Sequence, residues 1–218
     1  MSPAVTDIFT LSHNSKLPDL LEANEKWSEG MTEQHPCLFR DFNAHGQAPH
    51  TLFIGCSDSR YNEECLGVIP GEVFTWKTIA NLVRSDDPTC RATLEFAINV
   101  LKVNKVVLCG HTDCGGIKTC LTHQREALDN PECGHLYSYL QDVDDLFHEH
   151  KQEVFAATDD LQLQSRMLSV LNVQRQFKRL VAIDTVQKAV ARGEIEVYGL
   201  LYDVATGLVE QVPGAVEK

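Results

Sequence analysis

Two short runs carry the residues of this chain with the most chemistry in them: Cys56-Ser57-Asp58-Ser59-Arg60 and His111-Thr112-Asp113-Cys114-Gly115-Gly116. Thiol sulfur and imidazole nitrogen suit a borderline-soft cation, and two cysteines with one histidine match a catalytic zinc arrangement that leaves a fourth place for water. A structural zinc would take a fourth soft ligand. Cys120 and Cys133 are at hand, but neither stands in a paired spacing with the others. The set therefore reads as a catalytic site for one zinc ion per chain, held by Cys56, His111 and Cys114. Asp58 leaves two readings open, a fourth ligand or an acceptor for a zinc-bound water. Arg60 is close enough to hold that carboxylate by a charge-assisted bond, although such a pair on a plain surface is worth little. A metal brings the pKa of its bound water from about 15.7 toward neutrality, which supplies a nucleophile at physiological pH. Asp113 and Thr112 read equally well as supports for the ligands or as turn residues. His123 and His135 lie in a polar stretch and read as solvated.

Each run follows a segment that reads as a buried strand, Thr51–Gly55 before the first and Lys105–Cys109 before the second. Open α/β sheets place ligands just beyond the carboxyl ends of such strands. A further strand is expected at Glu72–Trp76. Asp87-Pro88 gives an N-cap acid with proline at the first helical position, ahead of a helix over Thr89–Lys102. Gly115-Gly116 opens another helix. From Ser15 to Phe42 the spacing of Leu17, Leu20, Leu21 and Trp27 is helical, with a break expected at Gly30. Residues 122–165 are polar and acidic and read as surface helices and loops. Phe177–Arg192 is amphipathic, with Gly193 suited to the position after a helix end. Ile195–Tyr202 and Leu208–Val212 read as strands around the Ala205-Thr206-Gly207 turn. Strands alternating with helices imply an α/β fold with a mainly parallel central sheet flanked by helices.

The 218 residues are enough for one domain with a substantial core. A hydrophobic content of 43% and a charged content of 23% are those of an ordinary globular chain. A formal net charge of −12 disfavours nucleic acid and anionic membranes as partners. No apolar run is long enough for a membrane span. Met1 to Ser15 holds no lysine or arginine and carries Asp7, a poor presequence, so a cytoplasmic location is expected. In that reducing setting the eight scattered cysteines read as free thiols plus the metal pair, not as a disulfide framework.

Cys56-Ser57-Asp58-Ser59-Arg60 followed by Gly110-His111-Thr112-Asp113-Cys114-Gly115-Gly116 resembles the double motif of the β-class carbonic anhydrases. Gly71-Glu72-Val73-Phe74 and Ile79-Ala80-Asn81 resemble the fungal branch. The likeness is strong over residues 50–120 and weaker through Val173-Gln174-Arg175-Gln176 and Tyr198-Gly199-Leu200-Leu201-Tyr202. It implies reversible hydration of carbon dioxide to bicarbonate and a proton, by attack of zinc-bound hydroxide. Cys56, His111 and Cys114 match the family's zinc ligands, and Asp58 and Arg60 match its catalytic pair. Phe74, Ile79, Phe96 and Gly115 fall on its apolar substrate pocket, a sensible berth for a substrate without a dipole. The resemblance also implies a homodimer or homotetramer, with the site near the subunit interface. One domain is then expected over 1–218, with residues 1–45 as a helical arm packing on a partner subunit and 46–218 as the α/β core.

Three departures bear on regulation. Ile69 stands where plant members have glutamine, Lys77-Thr78 replaces Arg-Asn, and Phe53 replaces the tryptophan of bicarbonate-inhibited members. In a closed form known in that family Asp58 would itself bind zinc; here an open site is expected, with Asp58 paired to Arg60. Lys77 reads equally as a packing or a dimer-surface residue. The alternatives are a related zinc enzyme acting on carbon disulfide or carbonyl sulfide, a noncatalytic zinc-stabilised binding protein, and a thiol redox enzyme using Cys114. The last is weakened by the lack of any Cys-x-x-Cys.

Overall fold

The computed structural model describes residues 8–218; the first seven residues of the expected arm lie outside them. The described residues divide into two compact units, one up to Gln47 and one from Ala48 to Lys218. In the first, helix α1 spans Leu17–Gln34 and is followed by single turns at Leu38–Phe42 and Asn43–His45. The helix runs through Gly30. Glycine costs about 1 kcal/mol in a helix interior but does not forbid it, and nothing crowds this position. No residue of α1 is buried, and Leu17, Leu20, Leu21 and Trp27 are exposed.

The second unit is built on a five-stranded sheet: β1 (Thr51–Cys56), β2 (Val73–Thr78), β3 (Lys105–His111), β4 (Glu196–Tyr202) and β5 (Val209–Glu217), in the order β2-β1-β3-β4-β5. The first four are parallel, and β5 runs antiparallel to β4. β1 is buried along its whole length and β3 from its second residue on, as continuous apolar runs in a parallel sheet covered on both faces should be. One core cluster joins Leu52, Ile54, Val106 and Leu108 to Leu94, Ile98 and Leu180. The other, on the opposite face, joins Phe53, Val107 and Cys109 to Ile117, Leu146 and Phe147.

Helix α2 (Pro88–Glu95) starts as expected, with the Asp87 carboxylate accepting from the Thr89 N–H at 2.8 Å. It continues as a wider turn over Phe96–Val100. α3 (Gly115–Leu121) follows β3 directly, and α4 (Gly134–Tyr139) and α5 (Gln141–Ala157) come next. The acidic 122–165 stretch is not confined to the surface, because α5 buries Val143, Leu146, Phe147 and Val154 under its acidic face. The amphipathic pattern over Phe177–Arg192 is two helices, not one. α6 (Leu161–Val181) ends there, Ile183 is extended, and α7 (Asp184–Ala191) begins with an acid in its first turn, where the helix dipole favours it. Gly193, after α7, and Gly207, in the β4–β5 turn, take the left-handed backbone expected of them.

Gly110 fixes how closely α6 approaches the sheet. A Cβ on it would stand 2.5 Å from Val173 Cγ2, so the lack of a side chain lets α6 settle onto β3. Beside Val173 on that helix, Asn172 and Gln176 are buried.

Candidate metal centre

β1 and β3 are adjacent and in parallel register, with Gly55 opposite Cys109, so Cys56 at the end of one strand lies beside the end of the other. His111 closes β3, and a tight turn through Asp113, in the left-handed region at φ 58°, brings Cys114 back toward the strand ends. The donor atoms of Cys56, His111 and Cys114 all lie within 4.8 Å of one another, and all three residues are buried. The sequence expectation brought these three together, and the fold does so by pairing β1 with β3 and by the short turn from His111 to Cys114.

His111 Nδ1 lies 2.9 Å from the Thr112 carbonyl, so its proton sits there and Nε2 keeps its lone pair. That Nε2 is buried and has no hydrogen-bond partner. An orphaned, inward-facing imidazole nitrogen next to two sulfurs is a coordination site by its chemistry. The thiols point the same way. Hydrogen bonding from Cys114 draws the Cys56 thiol down to about 4, while the same contact, together with burial, pushes Cys114 well up. The contact favours one thiolate over two, and a second negative charge in this buried place would need a positive ion. The residues fit zinc.

Asp58 and Arg60 form the expected pair. Arg60 Nε and Nη2 donate to the two Asp58 oxygens at 3.0 and 2.8 Å, and the Arg60 backbone N–H adds a third bond at 2.9 Å. These bonds hold the Asp58 carboxyl down at about 2, and Arg60 is raised in turn, first by Asp58 and then by Asp113. Asp58 Oδ2 is 3.8 Å from His111 Nε2, close to the cluster and directed by Arg60. Asp113 has a more definite place than a turn residue. It accepts from Arg60 Nη1 at 2.7 Å and from Lys118 at 2.8 Å, while its carbonyl accepts from Arg60 Nη2 at 2.9 Å. Thr112 accepts from the Val204 N–H at 3.1 Å and ties the site to the segment after β4.

Tyr61 was not singled out by sequence reasoning, although it follows Arg60 directly. Its buried hydroxyl accepts from the Cys56 N–H at 2.6 Å and donates to the Cys109 carbonyl at 2.8 Å, bridging the two ligand-bearing strands. Its ring stacks on Tyr202 and leans on His111, with centroids 5.3 and 4.8 Å apart. Lys77 is occupied within the chain. It donates to the Tyr61 carbonyl at 2.8 Å and lies over the Tyr61 ring. Phe53 is fully buried with its ring edge-on to Tyr61. His123 and His135 are exposed, and all eight cysteines are free thiols.

The four pocket candidates separate into two pairs. Gly115 opens α3 next to Cys114, and Ile79 reaches the same place, since a Cβ on Gly116 would stand 3.7 Å from Ile79 Cγ2. Phe74 and Phe96 pack together, rings 5.7 Å apart, and Phe74, half-buried, packs against the core cluster on the other face of the sheet. Phase along the strand separates them further: Phe74 pairs with Leu52, four residues before Cys56, or roughly 13 Å at the usual strand rise.

The family model described as Carbonic anhydrase matches residues 51–209. A carbonic anhydrase of Saccharomyces cerevisiae is 60% identical over 207 residues, covering 95% of this chain and 93% of its own length. One of Candida albicans is 39% identical, over 94% of this chain and 70% of its own. Among solved structures, a tetrameric β-carbonic anhydrase of Sordaria macrospora superposes with a TM-score of 0.81 at 34% identity, over 91% of this chain and 97% of that one. The β-carbonic anhydrase CafA of Aspergillus fumigatus gives 0.79 at 36% identity, over 91% of each.

Proposed function

The chain belongs to the fungal β-class carbonic anhydrases, and on that premise we propose that it carries out reversible carbon dioxide hydration with one zinc ion held by Cys56, His111 and Cys114. The orphaned Nε2 of His111, buried between two thiols, carries the metal reading. Zinc in such a site supplies a water-derived nucleophile at neutral pH. With zinc bound, the Asp58 carboxylate would serve as the hydrogen-bond acceptor that orients the nucleophile toward the substrate. Arg60 keeps that carboxylate ionised and in one orientation, and Asp113 keeps Arg60 in place. The pairing of Asp58 with Arg60 favours an open site as the resting form, in which the carboxylate stays with the guanidinium. Regulation through the side site of bicarbonate-inhibited members is not expected, because Lys77 is held by Tyr61 and Phe53 has no indole N–H.

Ile79 and Gly115 form the apolar wall for carbon dioxide within the chain. Phe74 and Phe96 serve a pocket only where a second copy places them beside its metal, which agrees with a homodimer or homotetramer. The exposed apolar residues of α1 suit an arm, residues 1–45, that packs on that second copy, while residues 46–218 form the catalytic core. No described helix is long and apolar enough to cross a membrane, and the acidic charge disfavours nucleic acid; the cytoplasm is the proposed location. Two measurements test the core of the proposal: zinc per chain, and stopped-flow carbon dioxide hydration, for the wild type and Cys114→Ala. The wild type should hold one zinc and be active, and the variant should lose most of both. Stoichiometric zinc with normal hydration in the variant would refute the ligand assignment, and activity on carbon disulfide or carbonyl sulfide in place of carbon dioxide would refute the reaction.

A further inference from the structure

After β2 the chain turns sharply through Ile79–Asn81, with Ala80 at φ 53° and Asn81 at φ 48°. Two consecutive residues with side chains in the left-handed region are disfavoured, alanine more than asparagine, whose side chain tolerates that region. Something outside the turn must hold it. The Ala80 carbonyl accepts from Asn172 Nδ2 at 2.9 Å, and the Val83 N–H donates to Gln176 Oε1 at 3.0 Å. Gln176 Nε2 donates to Asn172 Oδ1 at 3.1 Å and to Asp142 Oδ2 at 2.8 Å. Arg179 grips Asp142 through both of its carboxylate oxygens. Two buried amides one helical turn apart on α6 therefore clamp the turn, and a surface ion pair anchors the clamp.

The turn packs directly on the site. A Cβ on Gly116 would stand 3.2 Å from Ala80 Cβ, so the position of this turn sets the space beside Cys114. We propose that Asn172 is a positioning residue for the carbon dioxide pocket: by holding the Ala80 carbonyl it keeps the Ile79–Asn81 turn against Gly116 and fixes the Ile79 wall. This rests on the reading of Ile79 as pocket wall. Asn172 touches neither substrate nor metal ligand; it acts through the turn.

The test compares Asn172→Leu, Ile79→Ala and Leu180→Ala by zinc content, carbon dioxide KM and kcat, and amide hydrogen exchange of a peptide covering residues 79–83. Asn172→Leu should keep one zinc per chain, exchange faster at 79–83, and raise KM about 10-fold with a smaller change in kcat, the pattern of lost binding shared by ground and transition states. Leu180→Ala weakens the core from the same helix but removes no hydrogen bond to the Ile79–Asn81 turn, so it should leave KM unchanged. Unchanged KM or unchanged protection in Asn172→Leu overturns the inference. If Ile79→Ala leaves KM unchanged, the wall reading falls and takes the inference with it. If Ile79→Ala raises KM and Asn172→Leu does not, the inference alone falls. Asn172→Ser gives the same readouts should the leucine variant not fold; if neither folds, Asn172 serves core stability and the inference is wrong.

Discussion

Removing one oxygen atom tests how the two ligand-bearing strands are held together. Tyr61→Phe keeps the ring, and with it the stacking on Tyr202 and the contact with His111, but deletes the hydroxyl that bridges Cys56 and Cys109. The variant leaves the Cys56 N–H and the Cys109 carbonyl without that partner, and each orphaned buried group costs about 1–3 kcal/mol. Taking the lower half of that range for both, because backbone shifts recover part of it, gives a loss of about 2–4 kcal/mol. For a chain of this length each kcal/mol moves the midpoint by about 2–4 °C, so the transition should fall by roughly 4–16 °C at fixed protein concentration. The same bridge sets the distance between Cys56 and the end of β3, so zinc should also bind about 10–100-fold more weakly in a chelator competition, the usual cost of a lost support behind a ligand. A variant with wild-type melting and wild-type zinc affinity would refute the bridge.

Two further outcomes follow from the same geometry. Asp58→Asn keeps the shape and removes the charge, so it should keep full zinc occupancy while kcat/KM falls about 10²–10⁴-fold, the usual worth of a positioned proton acceptor; wild-type kcat/KM at full occupancy would remove Asp58 from the mechanism. In Gly199→Ala the new methyl would overlap Ala215 Cβ and stand 3.2 Å from Val173 Cγ1, so urea denaturation should show a loss of about 1–3 kcal/mol, and an unchanged midpoint would show that β5 or α6 yields freely.

What could be read from the sequence was local. Cys56 and the His111–Cys114 pair each follow an apolar run that needs no partner to be recognised, and parallel strands carry their functional residues at their ends. Asp87-Pro88 announced α2 for the same reason, since a cap acts within three residues. Tyr61 and Asn172 escaped notice because each acts across the fold: Tyr61 reaches the Cys109 carbonyl 48 residues on, and the Asn172–Ala80 bond spans 92 residues. Gly30 misled because its helix penalty is small beside the cooperativity of the turns around it. The split between α6 and α7 was hidden because Leu180, Ile183, Val186 and Val190 keep helical spacing across a residue that is itself extended.

The order of the sheet also sets a timetable for synthesis. Cys56, His111 and Cys114 leave the ribosome early, but β3 keeps one edge unpaired until Glu196–Tyr202 has been made, and the turn beside Cys114 has no clamp until α6 arrives. A nascent chain halted after α3 would carry every donor atom and little of the frame that fixes them. If the site takes up zinc as proposed, tight capture would be a late event, coupled to the last third of the polypeptide, and before it the paired thiols would depend on the reducing state of their surroundings.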